Sequence, residues 1–316
     1  DVRFPVRVRT IEALTAQRLT VMTSDRDLNQ IATTPGNEQT SVDPQPTTAS
    51  MGVLYVATGS RYIEEASTSA RSLRNVAPAI RIHLYSDQEP SSGIFDQVDR
   101  MLDFRYNCHD KVPPLLHSPF EKTVFLDTDT YICGSLHELE CLLDRYDLLI
   151  CHTAFRDPNP IEGIPSAFTE FNTGMIAFRK NERTSRFLRR WLELYDEMGY
   201  RADQPSFRRA LWEDDQLRFY TLTPEYNFRT IFPGFIGGGS EVKIIHGRHR
   251  DWERIRRRLN KTKEPRVVIL SPLDRWGRRV IVLRKWSDLV KTIIKDGCFD
   301  ESVTFFTVLR NLPGVI

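Results

Sequence analysis

The sequence predicts an α/β protein: a mostly parallel sheet with helices on both faces. Two observations carry that expectation. Short apolar runs of strand formers, such as Val53–Ala57 and Val124–Leu126, alternate with stretches at helical spacing, such as Tyr62–Asn75 and Glu182–Met198. Several of the runs are apolar throughout, as strands covered on both faces require. The 316 residues, 40% hydrophobic and 27% charged, suffice for a sizeable core, in one large domain with appendages or in two domains.

Residues 1–50 divide in two. Val6, Val8, Ile11, Leu14, Leu19 and Val21 suit a short strand and a helical turn. From Ser24 to Ser50 the composition turns to Thr, Pro, Asn, Gln, Ser and Asp, which has little to bury and reads as a linker or stem. The main α/β domain is therefore expected over 51–252, with a small basic extension over 253–316.

Strand Val53–Ala57 opens the sheet, and Thr58-Gly59-Ser60 leads into helix Tyr62–Asn75. Ile80–Tyr85 alternates like a half-buried strand. A helix over Ile94–Val98 and a strand over Met101–Phe104 are expected next. Strand Val124–Leu126 then precedes a helix near Leu136–Leu143 and strand Asp147–Cys151. Pro158, Pro160, Gly163 and Pro165 mark a long loop. Phe171–Phe178 reads as a strand holding the tight Asn172-Thr173-Gly174. Phe187, Leu188, Trp191, Leu194 and Tyr195 give helix Glu182–Met198 its core face. Helix Gln204–Trp212 has Asp203 as its expected cap. Strands follow at Leu217–Leu222 and, after the glycine-rich Gly234–Gly239, at Val242–Ile245. Val267–Leu270 and Val280–Leu283 suit a hairpin, and Trp286–Ile294 a helix.

The net charge of +2 sets up no whole-protein field for nucleic acid, and none is expected as a partner. No stretch approaches the roughly 18 consecutive apolar residues of a membrane span, and no secretory leader is visible. The expectation is a cytoplasmic protein, with Golgi or membrane association if an anchor has been removed. Cys108, Cys133, Cys141, Cys151 and Cys298 are odd in number and show no Cys-x-x-Cys pair, which favours a reducing compartment over a zinc site or disulfide framework.

The chemistry concentrates at Lys122–Cys133. Its apolar strand ends in Asp127 and Asp129, with Thr128 between. Strand ends at the carboxyl edge of an open α/β sheet are where ligands bind. Two acids there repel unless a cation or proton separates them. A hard divalent ion with oxygen ligands, Mn²⁺ or Mg²⁺, resolves that conflict, commonly together with substrate phosphates. His246, ending an apolar strand, suits a neutral imidazole ligand. No Walker-type phosphate loop is present, because the glycines lack the required lysine. Arg254, Arg256, Arg257 and Arg258 share one expected helix, either a solvated face or a surface for an anionic acceptor, membrane or polyanion.

The ordered set Val53–Thr58, Lys122 before Asp127-Thr128-Asp129, Phe171–Met175, Asp203-Gln204 and His246-Gly247 resembles the nucleotide-sugar glycosyltransferases of the Rossmann-like GT-A fold. In particular it is similar to the glycogenin and bacterial galactosyltransferase family, family eight, over about Met51 to Trp252. The resemblance implies a hexosyltransferase that uses a nucleotide diphosphate sugar, a UDP-sugar above all. The acceptor would be a hydroxyl of a carbohydrate, protein or lipid, and the transfer would retain configuration. It implies that Asp127, Asp129 and His246 hold Mn²⁺ or Mg²⁺. It implies that Ala57 and Thr58 meet the base and ribose, and that Lys122, Thr128 and Arg248 lie by the donor. Asn172 then belongs to the sugar pocket, and Asp203 and Gln204 to the reaction face. Homo-oligomer formation stays open.

The run His246-Gly247-Arg248-His249-Arg250-Asp251-Trp252 departs from the family's His-x-x-Gly with Lys-Pro-Trp. Arg248 or Arg250 then takes the diphosphate contact, and His249 is the alternative to His246. Two rival readings remain. One is a haloacid-dehalogenase-like phosphohydrolase using Asp127 and Asp129, with Asp214-Asp215 as its later acidic pair. The other is a non-catalytic binding module that presents Arg248–Lys285 to a polyanion.

Overall fold

The computed structural model describes residues 51–101, 103–154, 156–270 and 280–283. The expected arm at 1–50, the helix expected over 286–294 and Cys298 lie outside these residues.

The chain begins with β1 (Met51–Ala57), α1 (Ser60–Val76), β2 (Arg81–Ser86) and β3 (Gln97–Arg100). A 3-10 turn at Cys108–Lys111 enters the short α2 (Val112–Leu116). Then come β4 (Lys122–Leu126), β5 (Thr130–Ile132), α3 (Glu138–Arg145) and β6 (Leu148–His152). β7 (Phe171–Arg179), α4 (Glu182–Met198), α5 (Gln204–Glu213) and β8 (Phe219–Leu222) follow. The last described part holds β9 (Phe228–Arg229), β10 (Gly234–Ile236), β11 (Ile244–His246), α6 (Trp252–Leu259), β12 (Arg266–Leu270) and β13 (Val280–Leu283).

The main sheet has seven strands in the order β3-β2-β1-β4-β7-β6-β8. It is mainly parallel; β7 alone runs against its neighbours β4 and β6. Successive strand residues feed opposite faces. Val53, Tyr55, Val124 and Leu126 share a core with Leu73 of α1 and Leu139 of α3. Leu54, Phe125 and Phe178 share another with Trp191 of α4 and Phe207 of α5. Both faces are therefore covered, which explains why the strands read as unbroken apolar runs. No helix among the described residues is long and apolar enough to cross a membrane.

The long helices follow their local signals. On α1, Ile63, Ala66, Ala70 and Leu73 recur at helical spacing and are buried. On α4 the Asn181 side chain accepts from the Thr184 N–H at 2.9 Å, and Gly199 ends the helix in the left-handed region at φ 63°. The hairpin expected from Val267 and Val280 is present as the antiparallel pair β12 and β13. Ile255, Leu259 and Val268 pack with Phe228, Ile236 and Val242, so packing is continuous across residue 252.

Three local expectations are corrected. Ile94–Val98 is not a helix, and Met101, Asp103 and Phe104 are not in a strand. Instead Gln97–Arg100 adds a parallel edge strand to β2. The Asp96 carboxylate accepts from the Ile82 N–H at 2.7 Å and from Arg74, which draws this segment onto the sheet edge. An edge strand as polar as Gln-Val-Asp-Arg carries almost no apolar signature. Asp203 does precede α5, but its side chain makes no capping hydrogen bond, because it is turned toward Lys111.

Two local features stand out in the second half of the chain. Between β6 and β7 the pairing jumps from Ile150↔Ile176 to Cys151↔Asn172, a bulge that carries Thr173 and Gly174 past β6 toward the end of β4. The loop at 153–170 is clasped by Arg208 of α5, a fully buried guanidinium that donates to the Phe168 carbonyl (2.7 Å), the Pro165 carbonyl (3.2 Å) and the Asp157 carboxylate.

Candidate active site

Asp127 and Asp129 lie in the turn between β4 and β5. The Asp127 N–H donates to the Gly174 carbonyl at 2.8 Å, and the Thr130 hydroxyl donates back to the Asp127 carbonyl at 2.8 Å. β5 then pairs antiparallel with β11, Thr130 opposite His246. The Gly247 N–H donates to the Asp129 carbonyl at 2.9 Å, at a backbone φ of 115° that favours glycine. A small second sheet thus delivers His246 to the carboxyl edge of the large one. Its Nε2 lies 3.3 Å from Asp129 Oδ1 and 3.8 Å from Asp127 Oδ2. One ligand atom from each of Asp127, Asp129 and His246 falls within 4.8 Å of the others.

Hydrogen-bond polarity fixes how the imidazole is presented. The Gly174 N–H donates to Asn172 Oδ1 at 3.1 Å, so that amide oxygen is an acceptor. Asn227 must then turn its Nδ2 to the same oxygen, at 2.8 Å. Asn227 Oδ1 in turn faces His246 Nδ1 at 2.7 Å, which requires a proton on Nδ1. This assignment, made from the network, leaves His246 Nε2 toward the two carboxylates. A bare Nε2 and carboxylate oxygens repel, so the site calls for a positive charge between them, either a proton or a cation. An imidazole whose far nitrogen is committed to a fixed partner is how proteins prepare a metal ligand.

Gly174 makes the closeness possible. A Cβ there would overlap His246 Cε1 and approach Asp127 Oδ2 to 2.9 Å. The donor set of two carboxylates and one imidazole, around space that the missing side chain leaves, fits a divalent ion such as Mn²⁺. Burial pushes the Asp129 carboxyl up, but His246 when its Nε2 carries the proton, with Arg248 and Arg229, outweighs it and holds the group down at about 2.

The three groups open on a cavity of about 540 Å³ that also receives Thr58, Thr128, Asn172, Gln204 and Arg248. Ala57 is buried behind Thr58 and does not line it. Asn172 Nδ2 is buried and has no partner, a donor left over at the cavity wall. Of the two arginines expected near the diphosphate, Arg248 lines the cavity and Arg250 does not. His249 instead meets the Thr230 hydroxyl and the Trp252 ring, and it is not part of the three-ligand cluster. Asp214 pairs with Arg186 at 3.0 Å outside this cavity, so the acidic pair of the phosphohydrolase reading does not join Asp127.

Lys122 stands apart. It begins β4, whereas Asp127 follows its end, about 16 Å along an extended strand. There its ammonium meets Asp144 at 2.6 Å and Glu140 at 3.9 Å. The lysine at the site is Lys111, which sequence reading missed. Its Nζ lies 2.9 Å from Asp203 Oδ2 and 3.4 Å from Asp127 Oδ1. Burial pulls the Lys111 ammonium down, but Asp127 and Asp203 outweigh it and hold the proton firmly. Asp203 is further fixed through its carbonyl, which accepts from the Trp191 indole at 3.1 Å, the Ser206 hydroxyl at 2.9 Å and the Phe207 N–H at 3.0 Å.

Fold and site together define a Rossmann-like α/β chain with a candidate cation site at the carboxyl edge of its sheet. No family model and no curated protein matches the sequence. Solved glycosyltransferases are similar in structure. The glycosyltransferase GlyE of Streptococcus pneumoniae TIGR4 is 17% identical with a TM-score of 0.48, over 65% of this chain and 57% of that one. An active-site mutant of LgtC is 15% identical at 0.46, over 65% and 90%. Mouse xyloside xylosyltransferase 1 is 15% identical at 0.43, over 62% and 97%. With every TM-score below 0.5, this likeness by itself assigns no activity, and the chain spans little more than half of GlyE.

Proposed function

We propose that the chain is a metal-dependent glycosyltransferase that moves a hexose from a UDP-sugar to an acceptor hydroxyl with retention of configuration. The observation that carries this reading is the convergence of Asp127, Asp129 and His246 within 4.8 Å at the mouth of a cavity large enough for a nucleotide sugar. When bound there, a divalent ion supplies positive charge against the diphosphate that departs. Arg248 adds a guanidinium on the same side. Thr58 and the half-exposed Tyr62 ring form the wall suited to base and ribose. The spare Asn172 amide donates to a sugar hydroxyl. Asp203, held by Lys111 at 2.9 Å, faces the positive charge that develops at the anomeric carbon. The bond from that carbon to the diphosphate oxygen breaks with its electron pair on oxygen, and the acceptor oxygen bonds to the same face of the carbon as its proton passes to the departing diphosphate.

A thermal-shift screen of sugar nucleotides, with and without Mn²⁺, tests this function. A UDP-sugar that raises the melting point only with the metal is expected. Failure of every sugar nucleotide to do so would overturn the reading. NMR of the product's anomeric proton then checks retention.

A further inference from the structure

Arg248 owes its direction to a residue that lines no part of the cavity. Glu65, on α1, accepts from Arg248 Nε at 2.7 Å and from Arg248 Nη2 at 2.8 Å. This two-point grip fixes the plane of the guanidinium. The edge away from Glu65 then points inward, with Nη1 3.6 Å from Asp129 Oδ2 and the carbon of the fork 5.8 Å above the Tyr62 ring. The same carboxylate takes the Thr128 hydroxyl at 3.2 Å, between the two acids of the cation site, and Arg61 at 3.3 Å. A long side chain such as Arg248, itself exposed on the turn after β11, would otherwise sample many rotamers, each a loss on binding.

We infer that Glu65 is a positioning residue: it presents the free edge of Arg248 to the donor diphosphate and ties that arginine to the Asp127–Asp129 turn. The inference rests on the reading that Arg248 meets a diphosphate. It adds the device by which an arginine on this turn is held at a fixed angle over the cavity. Held this way, Arg248 keeps Nη1 and one N–H of Nη2 for two phosphate oxygens at once.

The test is calorimetric titration of the full chain with UDP in the presence of Mn²⁺, for the wild type, Arg248→Ala, Glu65→Gln and the double variant. Gln keeps the size of Glu but sets an amide against the guanidinium. Arg248→Ala should weaken UDP at least tenfold, and Glu65→Gln about five- to thirtyfold. The double variant should match Arg248→Ala within twofold, since a residue acting through Arg248 has nothing to position once it is gone. Unchanged melting points separate this from loss of folding. Wild-type binding that Arg248→Ala weakens and Glu65→Gln leaves within twofold would overturn this inference alone. So would a Glu65→Gln effect that persists undiminished without Arg248. If the wild type bound no UDP with Mn²⁺, the donor reading would fall, and this inference with it.

Discussion

Asn227 Oδ1 sits 2.7 Å from His246 Nδ1 and decides which nitrogen of that ring is left for the two carboxylates. Asn227 is itself oriented by Asn172, which is oriented by a backbone N–H that can only donate. Replacing Asn227 with Ala frees the ring to rotate or change tautomer. Mn²⁺ affinity, read by titration calorimetry, should drop about 10- to 100-fold, as when an outer-shell partner of a ligand histidine is lost.

Asp129→Asn removes a ligand and its charge. In Mn²⁺ at about 100 times its dissociation constant, the wild type should gain roughly 2.7 kcal/mol of stability. The variant should gain almost none. Equal metal-induced shifts in both proteins, measured by calorimetric melting, would sink the proposed cation site.

Gly174→Ala places a methyl group on the His246 ring. Because Cε1 lies in the way, the ring must move or the bulge must open. A loss of about 1–3 kcal/mol is expected from such overpacking, together with weakened Mn²⁺ binding. Denaturant titration and metal titration check the two separately.

Lys111→Met leaves the Asp203 and Asp127 carboxylates without their shared ammonium. Transfer or hydrolysis of the donor identified by the thermal screen should slow about 100-fold in kcat, the scale on which one charged group at a reacting centre acts. A kcat within a factor of three of wild type would remove Lys111 from the mechanism.

Acid stability should depend on Asp147, which lies far from this chemistry. Its fully buried carboxylate receives Arg179, Arg183 and Arg218. Burial pushes that carboxyl up, but Arg183, the Arg218 N–H and Arg179 outweigh it and depress it well below the usual range. A depressed group stabilises the fold above its unfolded value, about 3.9, and that contribution is lost as pH falls through the folded value. Asp147→Asn should cost about 3 kcal/mol at pH 7. The difference from wild type, followed by urea titration, should shrink steadily below about pH 4.

The sheet, the long helices and the Asp127–Asp129–His246 order were legible because each has a local sign: an apolar run, a helical period, or an acid or imidazole closing a strand. Lys122 was placed beside the donor through the resemblance alone, while the extended strand β4 holds it a full strand length from Asp127. Lys111, Glu65 and Asn227 carry no pattern of their own. Their roles come from contacts made across many intervening residues, Lys111 with Asp203, Glu65 with Arg248 and Asn227 with His246. The edge strand at Gln97–Arg100 escaped for a different reason, since solvent on its open side removes the need for apolar residues.

Arg208 has a consequence for anyone who would rebuild this protein. Its guanidinium is stitched to the 153–170 segment largely through main-chain carbonyls, which any transplanted sequence also possesses. A grafted segment of the same length and curvature can therefore inherit the mooring without inheriting the side chains. The segment is open to retailoring as long as the buried arginine that holds it is left in place.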